Sequence, residues 1–227
     1  MREVPFKRAA AVAAFFAAVL WTIHISAAAL GFPVDRFGIR PGLLTALHGV
    51  VTAPLAHASF EHLISNTLPV LVLGTAMLYG FPRASKIALP LIWLASGLCV
   101  WLFARAGTHL GASGLTHGMM FFVFVMGVLR RDRASMALAM IVFFLYGGMV
   151  WGILPTEPRV SFESHLFGAI GGVIAAFLLR RRDPLPLPRR YEWEMDPDLE
   201  EEDPVIGDLW RDAEAPEVPA RRPDENR

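Results

Sequence analysis

Two residues of this chain have side chains that could together carry out acyl transfer. Ser113 lies in a Gly-Ala-Ser-Gly tetrapeptide, and His165 lies far along the chain from it. A serine hydroxyl is a weak nucleophile until a neighbouring base accepts its proton, and histidine is the usual base. The pair therefore predicts a nucleophile and a general base, provided that the fold brings them together. The alternative for Ser113 alone is that its side chain caps a helix, because serine is a preferred N-cap.

A second polar pair could stabilise the negative charge that develops during acyl transfer. His62 and Asn66 are four residues apart and so share one face of a helix. Side-chain N–H groups of this kind can form an oxyanion hole. Two other roles remain open, because Asn66 could only join helices by hydrogen bonds and His62 could lie among the lipid headgroups.

Glycines surround the nucleophile and follow the histidine. Glycine permits tight turns and close backbone approach because it has no Cβ. Small residues spaced four apart let two membrane helices touch closely, as a hydrogen bond between their side chains requires. The glycines that we predict to support the site are Gly111, Gly114, Gly168 and Gly172.

The composition places these residues in a membrane protein. Of the 227 residues, 54% are hydrophobic and 19% are charged, with a mean hydropathy of +0.44. Soluble domains are about one quarter charged, so a soluble enzyme is disfavoured. Residues 183–227 hold 15 of the 21 acidic and six of the 21 basic side chains, a net charge of −9, and residues 1–182 carry +9. This segregation argues against a nucleic-acid-binding protein.

Six stretches are apolar enough to cross a bilayer core, which takes roughly 20 helical residues. The first follows basic residues as a signal peptide would, but its uncharged run of about 22 residues is too long for one. The predicted spans are residues 9–30, 58–79, 87–104, 113–129, 134–154 and 163–179. The sequence thus predicts an all-α, polytopic membrane protein, a bundle of six transmembrane helices.

The basic residues between the spans predict the orientation of the bundle. A cytoplasmic N-terminus puts eleven Lys and Arg side chains on the inner side and four on the outer side, as the positive-inside rule requires. Both termini are then cytoplasmic. We expect an N-terminal segment of residues 1–8, a membrane domain of residues 9–182, and a disordered acidic tail of residues 183–227 that holds eight prolines.

Helix geometry predicts that the polar residues lie at one depth. With a rise of about 1.5 Å per residue, Ser113 lies roughly 25 Å above the inner end of its helix and His165 roughly 22 Å above. Asn66 lies roughly 21 Å above the inner end of its helix, and His62 lies one helical turn higher than Asn66. Three helices therefore bring these side chains to one level, whereas Glu61 and Glu163 are expected at the outer boundary.

The motifs resemble those of the rhomboid intramembrane serine proteases. The matching elements are the His-x-x-x-Asn of residues 62–66, the Gly-x-Ser-Gly of residues 111–114, and His165 with its two glycines, on helices two, four and six. The resemblance implies a dyad of Ser113 and His165 without a carboxylate, and an oxyanion hole of His62, Asn66 and the Ser113 N–H. The family commonly has Tyr or Phe one turn after the nucleophile, stacked on the catalytic histidine, where this chain has His117.

What the resemblance implies about function is an endopeptidase that cuts transmembrane segments of other proteins in or near the lipid bilayer. No metal, organic cofactor or nucleic acid is expected, and the oligomeric state stays open. The implied location is the plasma (inner) membrane of a prokaryote. Two alternatives are an inactive relative that binds membrane clients, and a small transporter whose intramembrane His and Asn line a path. The transporter predicts repeat symmetry or a charged route, and the sequence has neither.

Overall fold

The computed structural model describes residues 4–157 and 160–183, and its main elements are six long helices. They are α1 Phe6–Ala29, α2 Phe60–Gly80, α3 Pro82–Phe103, α4 Ser113–Arg130, α5 Arg133–Tyr146 and α6 Phe162–Leu179. A 3₁₀ helix over Gly147–Ile153 continues α5. With this extension, all six are long and apolar enough to cross a membrane. The predicted all-α, polytopic bundle is confirmed.

Most helix ends lie within three residues of the predicted spans, and the two larger differences each have a local cause. The third helix begins at Pro82 instead of residue 87, because proline is tolerated in the first turn, where its missing N–H costs nothing. The fifth span changes from α to 3₁₀ at Gly147, the first of two consecutive glycines, which are weak helix formers. The predicted N-terminal segment overlaps the start of α1. The tail beyond Asp183 lies outside the described residues.

The loop between α1 and α2 lies against α3 and the start of α4. It contains a 3₁₀ turn over Val34–Phe37 and a short apolar helical stretch over Leu44–Leu55. Ile39 exchanges two backbone hydrogen bonds with His109, at 3.0 and 2.9 Å. The indole N–H of Trp101 donates to the Leu43 carbonyl at 3.0 Å. These bonds anchor the loop beside the segment that leads into Ser113.

Helix α4 lies in the middle of the bundle, and α5 is the least buried of the six spans. The largest hydrophobic cluster joins α2, α3, α4, α5 and α6. Its fully buried members include Leu73, Met77, Phe81, Ile92, Phe122, Val123 and Met126. Since α4 is surrounded by packed neighbours, its first residue has a fixed position relative to α2 and α6.

Candidate active site

A cavity of about 730 Å³ opens at the end of the bundle where α2 begins and α3 ends. Its walls include His62, Asn66, Ser113 and His165, which come from α2, α4 and α6. The structure therefore brings the four predicted polar side chains to one cavity. His117 and the 3₁₀ residue Met149 also line it.

Ser113 is the first residue of α4, and its side chain is not used as a cap. The N-cap is Ala112, and the Ser113 side chain makes no capping hydrogen bond. The capping alternative is therefore wrong for this serine. The Ala112 N–H donates to Nε2 of His57 at 3.4 Å. Burial, with a further contribution from His62, lowers the pKa of His57 to about 3, so the ring stays neutral and can accept this bond.

Gly111 has to be glycine for two reasons. Its φ of +106° is a conformation that residues with a Cβ rarely adopt. A Cβ at this position would also lie 2.7 Å from Nε2 of His62, so the imidazole packs directly on the glycine backbone. The first glycine of the tetrapeptide thus places the His62 ring beside the turn that leads into Ser113.

The His165 ring has one nitrogen committed to the backbone. Its Nδ1 lies 2.9 Å from the Gly152 carbonyl oxygen, and a carbonyl oxygen only accepts hydrogen bonds. Nδ1 therefore carries the proton, which leaves the lone pair of neutral His165 on Nε2. A Cβ on Gly152 would lie 3.2 Å from Nδ1, so a side chain here would crowd the ring. Sequence reasoning missed Gly152, because a backbone carbonyl leaves no signature in side-chain types.

His117 stacks on His165, as the resemblance implied for an aromatic residue at this position. The two rings are 3.9 Å apart between centroids and 8° from parallel. Nδ1 of His117 lies 2.7 Å from the Ser113 carbonyl oxygen, and Nε2 lies 3.1 Å from the Met149 carbonyl oxygen. Each carbonyl needs a donor, and a neutral imidazole has one N–H, so it satisfies one of them at a time. His117 thus connects the start of α4 to the 3₁₀ segment that contains Met149.

Helices α4 and α6 touch through their backbones, and this closeness places Ser113 near His165. A Cβ on Gly168 would overlap the Gly114 carbonyl oxygen, and one on Gly172 would overlap the Gly118 carbonyl oxygen. Within the described part of the chain, no hydrogen bond joins the Ser113 hydroxyl to His165. Both residues line the same cavity.

The two oxyanion candidates, His62 and Asn66, line the same cavity as the serine. Asn66 is 4% exposed, and its Nδ2 donates to the His62 carbonyl oxygen at 2.9 Å. An amide group has two N–H donors, so one remains for a ligand. Ser59 caps α2 by accepting the His62 N–H at 3.1 Å, which fixes the turn on which His62 lies.

A polar cluster next to the cavity was not predicted from the sequence. Glu163 was expected at the membrane boundary, but it is 6% exposed and pairs with Arg105 at 3.3 Å. In the same cluster, Nδ1 of His109 lies 2.5 Å from the Ser161 hydroxyl. The Ser161 hydroxyl also forms a hydrogen bond with the Ser164 hydroxyl, at 2.8 Å. These contacts tie the segment before α4 to the first turn of α6, which carries His165.

Comparison with known proteins gives a matching family model and several relatives of this chain. A family model described as the Rhomboid domain matches residues 45–182. An uncharacterised protein of Mycobacterium tuberculosis (strain H37Rv) is 38% identical over 173 residues, 72% of each chain. One of Mycobacterium leprae is 36% identical over 174 residues, 72% of this chain and 68% of that protein. A Bacillus subtilis protein that is named provisionally as a rhomboid protease is 25% identical over 144 residues, 57% of this chain and 65% of that protein.

The matched region contains five of the six helices and every residue of the candidate site. It runs from the loop before α2 to the end of α6, and it includes both Ser113 and His165. The domain match covers more than half of the chain, and the mycobacterial relatives extend along about two thirds or more of both sequences. This multi-pass membrane protein belongs to the rhomboid family.

Proposed function

We propose that the chain is a serine endopeptidase that hydrolyses peptide bonds in or near transmembrane segments of other membrane proteins. The observation that carries the proposal is that Ser113 and His165 line one cavity, with Nδ1 of His165 committed to the Gly152 carbonyl oxygen. Because Gly152 holds the proton on Nδ1, the lone pair of Nε2 is available to a serine hydroxyl. Catalytic hydrogen bonds are often long before substrate binds and shorten in the complex.

The first half of the reaction transfers an acyl group to the enzyme. Oγ of Ser113 attacks the carbonyl carbon of the scissile bond, and the hydroxyl proton moves to Nε2 of His165. The carbonyl oxygen becomes an oxyanion, which accepts hydrogen bonds from His62, from Asn66 and from the Ser113 N–H. His165 then gives its proton to the leaving amine, and the C–N bond breaks.

The second half of the reaction returns the serine. A water molecule enters the cavity, His165 accepts one of its protons, and the resulting hydroxide attacks the ester carbon. The proton returns to Oγ of Ser113 as the ester bond breaks, which releases the new carboxyl terminus. The volume of the cavity, about 730 Å³, leaves room for water beside a bound segment. The cavity faces the outside in the proposed topology, with both termini in the cytoplasm.

A fluorophosphonate probe tests this proposal, because it reacts covalently with an activated serine hydroxyl. Labelling of the purified full-length protein should map to Ser113 and should disappear in Ser113→Ala and in His165→Ala. Ser65→Ala is the matched control, because Ser65 lines the same cavity on α2 but has no role in the mechanism, and it should label normally. The proposal fails if His165→Ala labels at the wild-type rate, or if no variant, including the wild type, reacts at all.

The endopeptidase activity needs a separate measurement with a membrane substrate. Proteoliposomes that contain the enzyme and a single-span membrane protein should release two fragments, and mass spectrometry locates the cut. A cut within or next to the span supports the proposal, and cleavage confined to soluble loops contradicts it. A chain that binds the single-span protein without cleaving it would be an inactive, client-binding member of the family.

A further inference from the structure

A second cavity, of about 410 Å³, lies at the opposite end of the bundle from Ser113. Its walls are formed by the first turns of α1 and α3 and by the last turns of α2. Leu78 in its wall follows His62 on α2 by roughly 24 Å of helix, so the two cavities face opposite sides of the membrane. This is the end that the basic residues predict to face the cytoplasm.

Two cationic side chains meet at this cavity, and no acidic residue lines it. Arg8 comes from α1 and Lys86 from α3, and both are exposed. In the part of the chain that the structure describes, neither makes a hydrogen bond or an ion pair through its side chain. Two positive charges from different helices thus converge on this space, and none of the residues that line it carries a negative charge.

The start of α3 does not supply the anion site, because its N–H groups are already used. The Asp183 carboxylate accepts the N–H groups of Arg83 and Ala84 at 2.9 and 3.0 Å. The positive end of this helix is therefore already paired with a negative charge. Recognition of a further anion depends on the side chains of Arg8 and Lys86.

The rest of the cavity wall is apolar. Val12 lies one turn deeper than Arg8 on α1 and is 50% exposed, and Leu78 lies across from it on α2. The rings of Phe6 and Tyr79 meet edge to face, 5.7 Å apart, next to the cavity. Aromatic side chains are typical of the level of the lipid headgroups. A dissolved anion would leave this apolar wall unfilled.

We propose that this cavity binds an anionic phospholipid of the inner leaflet, with its phosphate between Arg8 and Lys86. The acyl chains then lie along Val12 and Leu78. The lipid would then bridge the first turn of α1 and the first turn of α3. This binding is independent of the proposed peptidase chemistry and involves none of its residues.

Native mass spectrometry of the full-length protein in detergent tests the proposal. The protein is titrated with phosphatidylglycerol, which is anionic, and with phosphatidylcholine, which has no net charge. The first phosphatidylglycerol should bind more tightly than phosphatidylcholine. Each cation near an anionic headgroup is worth roughly fivefold in affinity, so Arg8→Gln with Lys86→Gln should weaken the first binding step on the order of 25-fold.

The matched control removes two positive charges from the same end of the bundle without touching the cavity. Lys7→Gln with Arg182→Gln changes exposed residues that do not line it, and this variant should bind within about twofold of the wild type. Equal losses in the two double variants would mean diffuse attraction, and equal binding of both lipids by the wild type would mean no site. Either result overturns the proposal.

The acidic tail of the chain itself is the competing occupant. Its densest charge is the run Glu200–Asp203. If the tail fills the cavity, the wild type should not bind phosphatidylglycerol. It should bind this lipid only after the three glutamates of the run are changed to Gln and the aspartate to Asn. That outcome also overturns the lipid proposal. Wild-type binding that is unchanged by the four substitutions supports it.

Discussion

Substitution of Gly168 by alanine should separate the two helices that carry the proposed dyad. A Cβ here would overlap the Gly114 carbonyl oxygen, which belongs to the backbone of α4 and cannot rotate away. To restore ordinary contact distances, α6 must move by on the order of 1 Å. Inserting a methyl group into a packed interior costs about 1–3 kcal/mol, and the rigid partner puts this site at the upper end.

Gly171 provides a matched control in the same helix. A Cβ at Gly171 would meet only the Ile92 Cα at 3.6 Å, which is ordinary contact. Alanine is favoured over glycine inside a helix by about 1 kcal/mol, so Gly171→Ala should leave the free energy of unfolding unchanged or raise it. The same gain applies at Gly168, where it offsets part of the cost. The two single variants should therefore differ by about 3 kcal/mol in unfolding free energy.

The displacement also predicts a loss of activity that stability alone does not explain. A shift of about 1 Å between reacting groups can reduce a rate about 100-fold. Fluorophosphonate labelling of Gly168→Ala, at a temperature where the variant is folded, should be slower by that order, while Gly171→Ala labels normally. Unfolding is measured by thermal melting in detergent. The reasoning is refuted if the two variants match in both measurements, because the backbone contact would then not exist.

Three further predictions concern other polar residues. Asn66→Ala should lower kcat on the order of 100-fold with KM nearly unchanged in the proteoliposome assay, since one oxyanion donor is lost; normal turnover would exclude the role. Asp183→Ala removes both acceptors at the start of α3 and should cost about 1–2 kcal/mol in thermal unfolding, whereas Asp183→Asn, which keeps one oxygen, should cost less. His57 makes unfolding pH-dependent: its pKa is about 3 in the folded state and 6.5 without burial, so below about pH 6.5 the unfolded chain takes up the proton first. As the pH is lowered from about 6.5 to about 3, the free energy of unfolding should therefore fall by up to about 1.4 kcal/mol per pH unit. His57→Gln should flatten this dependence of the unfolding free energy on pH. An unchanged slope in the variant would contradict the burial of a neutral ring.

The sequence was sufficient for the parts of the site that depend on helix geometry. Apolar runs fix where a helix crosses the bilayer, and the rise per residue then fixes the depth of each side chain. That is why Ser113, His165 and Asn66 could be expected at one level before any coordinates. The glycines after His165 predicted close approach of two helices, and the structure shows which carbonyls they approach.

The contacts that could not be predicted join distant parts of the chain through groups without a sequence pattern. Arg105 and Glu163 are 58 positions apart, and nothing in the sequence pairs them. The orientation of His165 depends on a backbone carbonyl of Gly152, and any residue type has that group. Asp183 was assigned to the tail, because an acidic residue that begins a proline-rich stretch has no visible partner until the fold brings the start of α3 to it.

These unpredicted contacts also explain how a membrane bundle can hold an open cavity at one end. Lipid supplies no hydrogen bonds, so a polar cavity among helices must be held by bonds at its rim. The Arg105–Glu163 pair and the His109–Ser161 contact hold the rim beside α6, and Asp183 holds α6 to α3 at the far end. Between these two anchors, the glycine contacts fix the register of α4 against α6. The Ser113 hydroxyl and Nε2 of His165 take no part in these structural contacts and stay free for substrate.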